Sequence, residues 1–184
     1  LPPPRHRTAA SHRDARAADS VASAVMSPTP DRCLSVVMPC FNEVGTIEEV
    51  IAQVLASPYT AELLVIDDGS TDGTRDRLAQ VDDPRVRVLL QPVNRGKGAA
   101  LRRGFDEAQS PYVIIQDADL EYDPSEYGDL LEPLLDGRAD VVYGSRFISS
   151  RPHRALYFWH SIGNRVLTLV SNMFTDLNLT DMET

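Results

Sequence analysis

The chain has 184 residues, 42% of them hydrophobic and 24% charged, which suits one globular domain with a tail. Of the formal net charge of -9, residues 1–32 carry five Arg and three Asp (+2), leaving -11 on residues 33–184, a sign that excludes nucleic acid as a general partner. No apolar run is long enough to span a membrane, because the longest, residues 162–174, is broken by Asn164, Arg165 and Asn172.

Residues 1–32 begin Leu1-Pro2-Pro3-Pro4 and continue in Arg, Ala and Ser, with neither a core pattern nor a signal-peptide apolar region. A disordered tail is expected there, with Met26 as an alternative chain start. Residues 34–38 predict a first strand flanked by Cys33 and Cys40. Seven residues of mostly extended chain span roughly 20 Å, beyond disulfide reach, so two free thiols in a reducing compartment are expected. Pro39-Cys40-Phe41-Asn42-Glu43 follows. Thr46 with Glu49 then predicts a capping box on a helix whose apolar face is Ile47, Val50, Ile51, Val54 and Leu55.

Residues 63–66 predict a second strand, followed by the turn Asp67-Asp68-Gly69-Ser70-Thr71-Asp72-Gly73 and a short helix. Residues 86–90 predict a third strand, and Asn94-Arg95-Gly96-Lys97-Gly98 leads into a helix over residues 98–108. After Ser110-Pro111, residues 112–115 are short, apolar and partly β-branched, predicting a buried fourth strand. Asp123 predicts a cap for a helix with Pro124 at its first position, and residues 141–143 predict a fifth strand. Helical periodicity at Leu167, Val170 and Phe174 meets no end signal, so the domain over residues 33–184 is expected to be cut short. Alternating strands and helices of this kind predict an α/β fold, a mostly parallel sheet flanked by helices with right-handed crossovers.

Ligands of such sheets bind beyond the carboxyl ends of the strands, where the polar motifs recur. Gln116-Asp117-Ala118-Asp119-Leu120-Glu121 places two carboxylates at i, i+2 directly after an apolar strand. Such charge is costly unless a cation shares it, and carboxylate oxygens suit Mg²⁺ or Mn²⁺, which can hold a diphosphate. Asp68 suits either a base or ribose contact or the turn itself, and Glu43 either a nucleoside contact or a helix-start acid. Lys97 suits a phosphate or an exposed turn. Arg146, in Gly144-Ser145-Arg146, suits a bidentate phosphate clamp or an ion pair. Neither a complete phosphate loop nor a dinucleotide Gly-x-Gly-x-x-Gly is present. Arg151, His153, Arg154, Tyr157, Phe158, Trp159 and His160 form a basic and aromatic segment suited to a membrane headgroup zone, a lipid phosphate, or packing under a loop.

In this order, Pro39-x-Phe41-Asn42-Glu43, Asp67-Asp68-Gly69-Ser70-x-Asp72-Gly73-Thr74, Asn94-x-Gly96-Lys97-Gly98, Asp117-Ala118-Asp119-Leu120 and Gly144-Ser145-Arg146 resemble family 2 glycosyltransferases. The branch most similar is dolichyl/polyprenyl-phosphate mannose synthase-like, of the Rossmann-like GT-A fold. The resemblance implies an inverting, metal-dependent hexosyltransferase that uses a nucleotide-diphosphate sugar, GDP-mannose or a UDP-sugar, and a polyprenyl phosphate acceptor at the cytoplasmic face of a membrane. It implies that Pro39, Phe41, Glu43, Ile66 and Asp68 hold the nucleoside, joined on the donor by Lys97 and Ala118. Asp117, Asp119 and Glu121 would hold Mg²⁺ or Mn²⁺, and Arg146 would meet the donor or acceptor phosphates. Phe41 stands where the family often has Tyr, and Glu121 where some members have Gln. The alternatives are a family 2 enzyme acting on a saccharide and a non-catalytic sugar-nucleotide-binding fragment.

Overall fold

The computed structural model describes residues 32–144, 158–176 and 179–180. The expected tail over residues 1–31, Ser145, Arg146 and residues 147–157 with Arg151, His153, Arg154 and Tyr157 lie outside them. Four parallel strands form one sheet in the order β3-β2-β1-β4, with β1 Leu34–Cys40, β2 Thr60–Asp67, β3 Val86–Leu90 and β4 Tyr112–Ile115. Helices α1 (Ile47–Ala56), α2 (Thr74–Leu78) and α3 (Lys97–Glu107) connect them. A 3-10 turn (Pro124–Glu126) and α4 (Tyr127–Leu135) follow β4, and α5 spans Phe158–Thr175. Among the described residues no helix is long and apolar enough to cross a membrane.

Both faces of the central strands are covered, which explains their near-continuous apolar runs. Val36 and Met38 of β1 with Leu63 and Val65 of β2 pack against Val50 and Val54 of α1, Leu78 of α2 and Tyr127 and Leu131 of α4. On the other face Val37, Leu64 and Ile66 pack under Ala100 of α3. Gly104 lets α3 lie close on Val37 and Ile66, since a Cβ there would overlap both side chains. Cys33 and Cys40 are buried free thiols.

Three local expectations differ from the structure. First, among the described residues β4 stands at the edge of the sheet rather than buried. Tyr112 and Ile114 join the first core, but Val113 and Ile115 are 43% and 41% exposed, because α3 packs over β1 and β2. Second, residues 141–143 form no strand, and Val141 and Tyr143 are exposed: apolar residues make a strand only where a ladder partner accepts their backbone groups. Third, Thr46 stands at the N-cap of α1 without capping it. Its hydroxyl donates instead to Glu43 Oε2 at 2.9 Å, a carboxylate brought near by the preceding turn. Asp123 does cap the turn after β4, accepting from the Ser125 N–H at 2.9 Å.

Candidate functional site

The loops after β1 and β2 are built as one unit. Asn42 adopts the left-handed conformation (φ 59°), and its side-chain oxygen accepts from the Thr71 N–H at 2.8 Å. In return the Ser70 hydroxyl accepts from the Asn42 N–H at 2.9 Å, and Thr74 Oγ1 accepts from the Glu43 N–H at 2.9 Å. Asp72 accepts from the Val44 N–H at 3.1 Å and from the Thr74 hydroxyl and N–H. The Thr74 hydroxyl above all holds the Asp72 carboxyl below its ordinary pKa. Asp72 therefore ties two loops together, as a turn-forming acid does.

The two adjacent acids of the β2 turn have separate partners. Asp67 is fully buried, accepts from Ser70 N–H, and is paired with Arg75 Nε at 2.6 Å; Arg75 also donates to the Gln91 carbonyl. Asp68 instead accepts from the Arg95 N–H at 2.8 Å and the Gly96 N–H at 2.7 Å, one bond to each carboxylate oxygen. Asp68 thus fixes the loop that opens α3 while keeping lone pairs on both oxygens. Gly69 (φ 85°) permits this approach: a Cβ there would stand 2.7 Å from the Asn94 backbone nitrogen.

These loops and the turn after β4 enclose a cleft of about 340 Å³. Of the residues anticipated from sequence, Pro39, Phe41, Glu43, Asp68, Lys97, Asp117, Ala118 and Asp119 line it. Ile66 does not: its side chain is fully buried in the core beneath α3. Glu121 is not on the wall either; its N–H donates to Asp119 Oδ1 at 3.1 Å. Arg146 lies outside the described residues. Cys40, Asn94, Gly96 and Ala100, not anticipated as site residues, complete the lining. Burial, then the charges of Asp67, Glu43 and Asp72, push the Cys40 thiol up to about 12, so it stays protonated and is no nucleophile.

The cleft carries four carboxylates and one ammonium. Lys97 at the start of α3 lies 2.7 Å from Asp117 at the end of β4. The amino end of α3 adds its own positive partial charge beside Gly96 and Lys97. Among the described residues no three His, Cys, Asp or Glu side chains converge tightly enough to hold a metal ion. Two carboxylates, Asp117 and Asp119, do fit Mg²⁺ or Mn²⁺, which bind through one or two carboxylates with substrate phosphates and water completing the shell. Glu121, expected beside them, is not among the residues that line the cleft.

The remaining unanticipated residue is Gln116. It is fully buried, and its side chain bonds to Asp117 and Tyr122 carbonyls and to the Tyr127 hydroxyl. A polar side chain closing an otherwise apolar strand was the signal available in the sequence.

The family model described as glycosyl transferase family 2 matches residues 35–179. A glycosyltransferase of Haloferax volcanii, AglJ, is 38% identical over 141 residues, covering 76% of this chain and 44% of its own length. The undecaprenyl-phosphate 4-deoxy-4-formamido-L-arabinose transferase of Pseudomonas fluorescens is 32% identical over 163 residues, 85% of this chain and 46% of its own. The dolichol-phosphate mannosyltransferase of Pyrococcus furiosus is 30% identical over 118 residues, 62% of this chain and 33% of its own. The chain thus spans less than half the length of these relatives. The crystal structure of glucosyl-3-phosphoglycerate synthase from Mycobacterium tuberculosis is similar over 58% of this chain and 41% of that one, with 38% identity and a TM-score of 0.48.

Proposed function

The chain belongs to glycosyl transferase family 2, and from that premise we propose that it carries the donor site of an inverting hexosyltransferase. The donor is a nucleotide-diphosphate sugar, GDP-mannose or a UDP-sugar, and the acceptor a polyprenyl phosphate. The observation that carries the proposal is the meeting of Glu43, Asp68, Asp117 and Asp119 with Lys97 in one cleft beyond the carboxyl ends of parallel strands. An acidic cleft repels a diphosphate unless a divalent cation is shared between them.

In this reading Asp117 and Asp119 hold Mg²⁺ or Mn²⁺. The metal, when bound, neutralises charge on the departing nucleoside diphosphate. Phe41, 44% exposed at the cleft, offers its ring to the base, and Pro39, Glu43 and Asp68 frame the nucleoside. Lys97 and the amino end of α3 present positive charge to the phosphates. Arg146, from its place after Gly144-Ser145, is the proposed clamp on the donor or acceptor phosphate.

Relatives named for transfer to undecaprenyl phosphate and for dolichol-phosphate mannosyl transfer support a lipid-phosphate acceptor. A phosphate monoester has a second pKa near 6, so at neutral pH it is already a nucleophile and needs no strong general base. This acceptor chemistry calls for contact with the cytoplasmic face of a membrane. The test is transfer from a labelled donor by the protein in Mn²⁺, offering polyprenyl phosphate and free saccharides in parallel. Label in the lipid phosphate, abolished by chelation, is expected. Transfer to the saccharide alone overturns the acceptor assignment, and transfer that survives chelation overturns the metal.

A further inference from the structure

Gln116 directly follows β4, its N–H donating to the Val37 carbonyl at 3.0 Å, and its side chain has no exposure to solvent. A buried primary amide is costly unless its donors and acceptor are matched. Here the Nε2 group donates to two carbonyls, Asp117 at 3.2 Å and Tyr122 at 3.1 Å, and Oε1 accepts from the Tyr127 hydroxyl at 2.7 Å. Asp117 and Tyr122 are the two ends of the turn that carries Asp119, so one amide closes the neck of that turn. Tyr127, 2% exposed, opens α4 and anchors the amide to a rigid element. The turn needs such a hold: Leu120 within it has φ 64°, a conformation unfavourable for a residue with a side chain.

We infer that Gln116 is a positioning residue that holds the Asp117–Tyr122 turn so that the Asp117 and Asp119 carboxylates share one cleft wall. This rests on the proposed role of that pair in binding a metal and diphosphate. Volume alone does not account for a glutamine here. A methionine would fill the space but leave the Tyr127 hydroxyl and two carbonyls without their partner.

Three variants of the full chain separate the contributions. Gln116→Met removes every side-chain hydrogen bond. Gln116→Glu keeps an acceptor for Tyr127 but turns a carboxylate toward two carbonyls. Tyr127→Phe removes only the link to α4. Hydrogen–deuterium exchange is followed across residues 117–122 and across β1 and β2, and UDP and GDP are titrated calorimetrically with and without Mn²⁺. Both Gln116 variants are expected to speed exchange in the turn by about tenfold or more while β1 and β2 keep their protection. The gain in nucleotide affinity conferred by Mn²⁺ is expected to fall roughly tenfold, with metal-free affinity unchanged. Tyr127→Phe should shift both readouts in the same direction by less, and it carries the test if a Gln116 variant fails to fold. Unchanged turn exchange, or exchange rising equally throughout the sheet, overturns the inference. If the unaltered protein gains no affinity from Mn²⁺, the proposed function fails instead, and exchange in the turn still decides the part played by Gln116.

Discussion

Lys97, the first residue of α3, reaches across the cleft to within 2.7 Å of the Asp117 carboxylate that follows β4. The ammonium neutralises one of the two acids that would otherwise repel each other. The lysine is 57% exposed along its side chain and Asp117 19%. Such a pair contributes at most about 1 kcal/mol to stability, so its value lies in the site.

Lys97→Met is therefore expected to leave folding stability within about 1 kcal/mol of the parent. It should weaken UDP or GDP binding in Mn²⁺ severalfold, through loss of a phosphate partner. Chemical denaturation and calorimetry read the two effects separately. Equal affinity in the variant would show that the ammonium never meets the phosphates.

Asp119→Asn keeps the shape of the turn and removes one of the two carboxylates proposed to hold the metal. Metal-dependent nucleotide affinity should drop about tenfold or more, about 1.4 kcal/mol, with little change without metal. Calorimetric curves that superimpose in excess Mn²⁺, with the fold intact, would remove Asp119 from the metal site.

Gly69→Ala places a Cβ 2.7 Å from the Asn94 backbone nitrogen, at a residue with φ 85°. Positive φ costs a residue with a side chain about 1–2 kcal/mol, and the overlap adds about 1–3 kcal/mol. The loop after β3 must retreat, carrying the Arg95 and Gly96 amides away from Asp68. Both a lower denaturation midpoint and weaker nucleotide binding are expected; a variant as stable as the parent would refute the close approach.

Asp72 gives a pH dependence of defined sign. Its folded-state pKa lies below the ordinary value of 3.8, chiefly through the Thr74 hydroxyl. A depressed carboxylate adds stability that is fully present above its unfolded pKa and is lost as pH falls through the folded one. The stability difference between the parent and Asp72→Asn should thus be present at neutral pH and shrink below 3.8. A difference constant from neutral to strongly acid pH would contradict this.

Cys40 is 2% exposed and its thiol is pushed up to about 12 by burial and three neighbouring carboxylates. The native protein should resist alkylation at Cys40 near pH 8, and labelling should appear only on unfolding. Rapid modification under native conditions, located by peptide mass, would mean that the floor of the cleft opens readily.

The central elements were legible because local pattern and tertiary environment agree. Predicted residues 86–90 and 112–115 coincide with β3 and β4, while β1 runs two residues beyond its predicted end and β2 gains three residues before its predicted core and one after it. Residues 141–143 show the limit. Val141 and Tyr143 have strand-forming side chains, yet a strand exists only through its partner, which lies elsewhere in the chain. Thr46 makes the same point at short range: its hydroxyl was expected to accept from a first-turn N–H of α1, but it donates to the Glu43 carboxylate that the preceding turn brings near.

For this protein, the order of residue types along the chain determined a parallel α/β sheet and the gathering of polar motifs at one edge. Alternating apolar runs and turn residues specify which edge carries those motifs. What only the tertiary structure decided was the division of labour among those motifs. Asp67 and Asp68 are neighbours of identical chemistry, yet one is buried against Arg75 and the other clamps the opening of α3. Ile66 falls into the core, and Gln116 closes the turn that carries Asp119. A hydrogen bond or an ion pair depends on distance and direction between groups far apart in sequence, and the packing of α3 and α4 against the sheet sets both.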